Sequence, residues 1–167
     1  MKYCEKKYFL FLSFLIFPIL LYAHGGVNHD EEMLQTQDNP QKKFSDAFQT
    51  INSDYLETVK PIFKKSCFDC HSDQTRYPWY ASIPGIKQLI ESDIEEAKTH
   101  LDFSPNFPFK SHETPKKDLE SIRDSIKEDR MPPWNYSIIH WENKFTDKEK
   151  KSIIDWTNKS LDLLNSM

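Results

Sequence analysis

The sequence predicts a small all-α domain. Three observations carry that expectation. Apolar residues recur at spacings of three and four in four separate stretches after residue 54. A single Cys67-x-x-Cys70-His71 run sits at the end of the first of them. Hydrophobic content is 38%, below the usual globular share, which suits a domain completed by a bound apolar group. The chain has 167 residues, room for one domain plus appendages.

The chain opens on a basic Met1–Lys7 segment and an apolar run from Tyr8 to Tyr22. That run is too short for a comfortable membrane span of about 20 residues and has the length of a signal h-region. Ala23 offers a cleavage point, although Leu21 is large for the position two residues before it. Residues 1–23 are therefore expected to be a signal peptide, with an uncleaved N-terminal anchor as the alternative. Either makes the protein exported, periplasmic or held at the membrane by its N-terminus. Residues 24–50 are polar and lack a sustained apolar period, so a flexible linker is expected there. His24, His29, Asp30, Glu31 and Glu32 lie on no regular element, so a solvated tail is favoured over a metal site.

Residues 51–167 are expected to form the domain. Leu56, Val59, Ile62 and Phe63 mark a helix that runs into Cys67, and Pro61 inside it predicts a kink or a start near position 60. The Cys67–His71 run has the form of a c-type haem attachment site. Two thiols three positions apart on one turn reach two vinyl groups of one porphyrin, and the next residue brings an imidazole to the iron. One covalently bound haem c is therefore the expected cofactor, with His71 as proximal ligand. A redox pair or half a zinc site is the rival. It lacks a preceding strand and a convincing fourth ligand. Cys4 lies in the leader, so the three cysteines provide no disulfide framework.

Ser72–Ile83 is an aromatic loop. Arg76 is a candidate propionate contact, and Tyr77, Trp79 and Tyr80 are candidate walls of the haem pocket, as is Trp134 further on. Pro84 is expected to open a second helix with Ile86, Ile90, Ile94, Ala97 and Leu101 on one stripe. Phe103–Thr114, with Pro105 and Pro108, reads as a loop. Thr114-Pro115 starts a third helix whose buried edge is Leu119, Ile122 and Ile126.

Met131-Pro132-Pro133-Trp134 follows. Of the four methionines, Met1 is in the leader, Met33 in the linker and Met167 at the end, so only Met131 lies inside the expected fold. Two prolines stiffen its loop, and a thioether held there would be a distal ligand to the iron. His140 is the alternative distal ligand. His100 and His112 compete less well, one near a helix end and off its apolar face, the other in a polar loop. Thr146-Asp147-Lys148-Glu149 is a capping box for a last helix. Its apolar side is Ile153, Ile154, Trp156, Thr157, Leu161 and Leu164, and it is expected to cross the first helix.

These residues resemble a known family. Cys67-Phe-Asp-Cys-His71 with the following Ser-Asp-Gln-Thr-Arg-Tyr-Pro-Trp-Tyr80, Ile83-Pro, Asp102-Phe-Ser, Met131-Pro-Pro-Trp-Asn-Tyr136, His140 and Trp156 are similar to the bacterial haem-binding domain family of cytochrome c-like proteins. The resemblance runs from about Tyr55 to Leu163. It implies an all-α, single-haem, exported domain in which Cys67 and Cys70 form the thioethers, His71 is proximal and Met131 distal. The chain departs from the pattern at Lys98-Thr-His100, where a Gly-Arg-type segment is expected.

The expected function is single-electron transfer through a His/Met-ligated haem. A haem-based sensor or a peroxidase-like protein with a labile sixth position is the alternative, with His140 as the acid-base candidate. Net charge is −4, and the leader's lysines against Glu5 hold +2, which leaves −6 on the remainder. An acidic domain is a poor nucleic-acid binder and suits a redox partner with a basic docking face. Any membrane contact is expected only through the N-terminal segment.

Overall fold

The structure is a computed structural model and describes residues Asn39–Met167. The expected leader, most of the expected linker and Met33 lie outside those residues. Every regular element among the described residues is helical, as the sequence predicts. No helix among them is long and apolar enough to cross a membrane.

Helix α1 spans Pro40–Asp54 and corrects one expectation, because it occupies the last part of the stretch read as a linker. Asn39 caps it by accepting a bond from Gln41 N at 3.0 Å, and Pro40 takes the first helical position, where its missing N–H costs nothing. Ala47 and Ile51 are buried, Phe48 packs against the core, and exposed Phe44 stacks on Phe48 at 4.4 Å. Those four residues are spaced by three and four, a period masked by the polar residues between them.

The helix widens into one π-helical stretch at Tyr55–Val59 and continues as α2, Lys60–Ser66. Pro61 has no N–H for the carbonyl four residues back, so an α-helix loses a bond there, and a wide turn redistributes the ladder. Tyr55 and Val59 are fully buried. Helix α3, Phe68–His71, is a single turn. A 3₁₀ turn at Trp79–Ser82 leads to α4, Ile86–His100. Gly85, with φ 87°, supplies the left-handed residue just before α4, so the helix starts after Gly85 rather than on Pro84.

Helix α5 spans Pro115–Lys127, with Thr114 accepting from Lys117 N at 3.3 Å. Leu119, Ile122 and Ile126 are its buried edge, as expected. It ends in a Schellman-type turn. Arg130 N donates to Ser125 O at 3.0 Å, and Asp129 takes the left-handed position at φ 54°. Helix α6 is short, Trp134–Ile139, followed by a 3₁₀ turn at Trp141–Asn143. The last helix, α7, spans Asp147–Asn165, and both halves of the expected capping box are present at Thr146 and Glu149.

Helices α5 and α7 pack side by side, and α7 crosses α1, where Trp156 Nε1 donates to Ile51 O at 3.3 Å. The core between them holds Tyr55, Val59, Phe63, Leu119, Ile122, Ile153, Trp156 and Leu161. Phe103, Phe107 and Phe109 complete it from the segment read as a loop. Asp102 and Lys110 pair backbone to backbone at 2.8 and 3.2 Å, which closes that segment and turns its aromatic residues inward.

Asp118 on α5 is a buried carboxylate, and Ser111 Oγ lies 2.9 Å from both its oxygens. Burial is the main influence on this group and holds its pKa above 3.8. As pH falls, the folded chain therefore takes up this proton before the unfolded chain does, and the site favours folding more on acidification. Ser111→Ala leaves the ionised carboxylate unpaired, so denaturant titration at pH 7 is expected to read a loss of about 1–3 kcal/mol. That loss should shrink as pH falls through the carboxyl's folded pKa.

Candidate haem site

Helix α2 delivers the chain to the Cys67–His71 turn. Cys67 N donates to Phe63 O at 2.8 Å, and Cys67 O accepts from His71 N at 2.9 Å and Cys70 N at 3.2 Å. The turn thus carries both thiols and the imidazole on one rigid unit. Cys67 and Cys70 are free and half-buried, and Cys67 packs against the core. Burial pushes both thiols above their ordinary pKa, Cys67 most, and the Cys70 thiol adds to the effect at Cys67 as Asp69 and Asp93 do at Cys70. Among the described residues no three His, Cys, Asp or Glu side chains converge as a metal-ion site requires.

His71 is fixed from two sides by one short segment. Its Nδ1 lies 2.8 Å from Leu101 O, so Nδ1 carries the proton and Nε2 keeps its lone pair. Its backbone oxygen accepts from Phe103 N at 2.7 Å. Burial lowers the imidazole pKa, while the backbone oxygens of Leu101 and Ala97 oppose that shift. Asp102, part of the same segment, accepts from Ser104 N at 2.8 Å, and Ser104 Oγ accepts from Asp73 N at 2.9 Å. Sequence reasoning quoted Asp102-Phe103-Ser104 only for its resemblance. Its physical role is to tie the segment that holds His71 to the chain just past the motif.

The elements around this turn leave apolar side chains uncovered. Helix α4 has a stripe of Ile86, Ile90, Ile94 and Ala97 at the expected spacing, yet none of its residues is buried. Leu89 beside the stripe is 59% exposed. Ile83, Trp134, Ile138, Ile139 and Trp141 on the flanking turns and α6 are also exposed. Helix α4 packs on α3 and the 3₁₀ turn, next to the thiol pair. Two buried hydroxyls, Tyr55 Oη and Ser66 Oγ, have no hydrogen-bond partner among the described residues, and both neighbour Cys67. Two thiols on one turn, an imidazole with one nitrogen free and uncovered apolar surface fit a large flat apolar group with a metal at its centre.

The other candidate residues fall out as follows. The Arg76 guanidinium grips Asp69 of the motif, with Nε and Nη2 each 3.0 Å from a carboxylate oxygen. Tyr77 lies under the Lys87 ammonium, 5.9 Å from the ring centre, and Trp79 is 82% exposed with its ring edge-on to Tyr80. Tyr80 Oη is 2.7 Å from His140 Nε2, and the His140 ring stacks on Tyr136 at 4.3 Å. Trp134 is open to solvent, and Met131 is 41% exposed in the turn between α5 and α6. His100 and His112 lie together, 5.9 Å apart, and His112 Nδ1 meets Thr99 O at 3.1 Å. His112 also borders a cleft of about 580 Å³ against α4, which is lined by neither cysteine of the motif nor His71. Asp69 and Tyr136, which sequence reasoning left without a role, meet at 3.2 Å.

An all-α domain with this turn is a haem-protein domain by fold and by donor set. The comparison with known families agrees: residues 31–159 match the haem-binding domain family, and the chain belongs to that family. The match begins before α1, in keeping with a domain that starts earlier than residue 51. Among curated proteins, the chain is 28% identical over 124 residues to the cytochrome c peroxidase Ccp of Escherichia coli (strain K12). The similarity covers 73% of this chain and 27% of that protein, so the chain spans about a quarter of its relative's length. No solved structure gives a significant match.

Proposed function

We propose that this domain is an exported mono-haem cytochrome of the c type that passes single electrons. The observation that carries the reading is the His71 turn, where Leu101 O takes Nδ1 and leaves Nε2 for iron beside two uncommitted thiols. Cys67 and Cys70 would hold the haem covalently, each adding its S–H across one vinyl group with no other co-product. When bound, the haem supplies an iron that alternates between two oxidation states one electron apart. His71 holds the proximal side, and its bond to Leu101 raises its basicity and fixes the ring plane. Met131 is the distal ligand in this reading and His140 the alternative. The apolar side chains of α4 and α6 exclude water from the ring, and low local polarity disfavours the more charged oxidation state. The acidic surface suits a redox partner with a basic face. The N-terminal segment directs export and supplies any membrane attachment.

Expression with haem-attachment machinery, followed by acid-acetone extraction and an optical spectrum, tests this. The haem is expected to stay with the polypeptide, and the oxidised protein to show the weak red band of thioether-to-iron ligation. A colourless protein with two free thiols would sink the reading.

A second reading has its own support. Met131 is partly exposed, His140 is already hydrogen-bonded to a tyrosine, and the curated relative is called a peroxidase. A labile sixth position with His140 as acid-base group would make the domain a sensor or peroxidase-like protein. It predicts rapid carbon monoxide binding by the reduced wild-type protein together with peroxide turnover. Slow binding and no turnover leave electron transfer.

A further inference from the structure

We propose that Asp69, inside the attachment motif, is a positioning residue that latches the Met131–Asn143 segment onto the haem turn. The structural part of this stands on the geometry. Its consequence for the iron rests on the reading above, in which that segment carries the distal ligand.

Both Asp69 oxygens are used. Oδ1 accepts from Arg76 N at 3.1 Å and Nε at 3.0 Å. Oδ2 accepts from Arg76 Nη2 at 3.0 Å and from Tyr136 Oη at 3.2 Å. The Tyr136 oxygen in turn accepts from Asn143 Nδ2 at 2.7 Å, and Asn143 is buried. One carboxylate therefore joins three parts of the chain: the turn itself, the aromatic loop after it and the segment around α6. Only a short side chain with two acceptor oxygens on this turn can serve all four donors.

The segment has little else to hold its middle. Its start is set by the Schellman turn after α5, and its end by Lys65 on Lys144 O at 3.2 Å and by Phe145 against the core. Between these anchors, Trp134, Ile138, Ile139 and Trp141 are exposed and add little packing to the polypeptide. Among the described residues, the hydrogen bonds from that middle to the rest of the chain are Tyr136 to Asp69 and His140 to Tyr80. Both end on the haem turn or the loop after it, and Arg76 on Asp69 binds that loop to the turn. Stacking of Tyr136 on His140 makes the two contacts one unit. Releasing Asp69 should therefore loosen the whole segment, and with it the grip of Met131 on iron.

The test uses the haem-loaded full chain. Tyr136→Phe removes the hydroxyl and its two bonds but keeps the ring on His140. Asp69→Ala removes the other partner while keeping both thiols and His71. Hydrogen exchange of amides 134–143 is expected to speed up about tenfold in either variant, with α5 and α7 unchanged. The double variant should speed exchange by less than the product of the two single effects, because the shared Tyr136–Asp69 bond can be lost only once. Imidazole should bind the ferric Tyr136→Phe protein about tenfold more tightly than wild type. In a Met131→Ala background, Tyr136→Phe should give no further gain. Unchanged exchange in 134–143, or additive effects in the double variant, overturns the latch. If Met131→Ala itself leaves the spectrum unchanged, the distal assignment has failed, and the exchange data still decide the latch by themselves.

Discussion

Met131→Ala is expected to bind imidazole about a hundredfold more tightly in the ferric state, and carbon monoxide rapidly once reduced. The size follows from competition. An internal ligand that leaves the iron open about one per cent of the time weakens an external ligand by that same factor. Removing the thioether removes the competition, while His71, its bond to Leu101 and both thiols stay in place. The red ligation band should vanish, and the potential should fall if His140 moves in, because exchanging thioether for imidazole favours the oxidised iron. An affinity and spectrum equal to wild type would exclude Met131, and the same titration on His140→Ala would then identify or exclude the alternative.

Trp156→Ala is expected to cost about 3–5 kcal/mol. The Trp156 ring is buried between Tyr55, Phe107 and Phe109, at centroid distances of 5.7, 6.4 and 6.4 Å. It touches three elements at once: α7 itself, the π-helical stretch through Tyr55 and the aromatic segment before α5 through Phe107 and Phe109. Its indole N–H also satisfies Ile51 O on α1. A domain of this size is stable by about 5–15 kcal/mol, so the truncation should remove a large share of the haem-free protein's stability. Chemical denaturation followed by circular dichroism measures it. A loss below about 1 kcal/mol would mean that the core closes without this ring.

Much of this architecture was legible in the amino-acid order, and the exceptions have physical causes. Capping signals at Thr114-Pro115 and Thr146–Glu149 located two helix starts because they act within one turn. The apolar edges of α5 and α7 followed because both helices bury one face against protein. Helix α1 was missed because Phe44, Ala47, Phe48 and Ile51 are diluted by lysine, glutamine and aspartate. The core role of Phe103, Phe107 and Phe109 was missed because irregular backbone has no period to read. At the site, the motif named the thiols and the imidazole, since their order is dictated by the chemistry they perform. The stripe on α4 was also legible, but not that protein would leave it half-covered. Arg76 read as a candidate propionate contact, and the structure pairs it with the aspartate seven residues before it. The hydrogen-bonding roles of Asp69, Tyr136 and Leu101 carried no signal, because each acts through a partner that only the folded chain brings near.

The hydrogen bonds from this segment to His71 are made by main chain on its partners' side: one carbonyl from position 101 and one N–H from position 103. Side-chain replacement at 101 should therefore spare the imidazole's orientation, whereas proline at 103 would delete a donor outright. A one-residue insertion or deletion between His100 and Ser104 should be far more damaging than most substitutions there. It would slide the carbonyl away from the ring and the N–H away from the motif in a single move. What this site demands of that stretch is length and spacing, and mutational tolerance should differ sharply between point changes and frame-preserving indels.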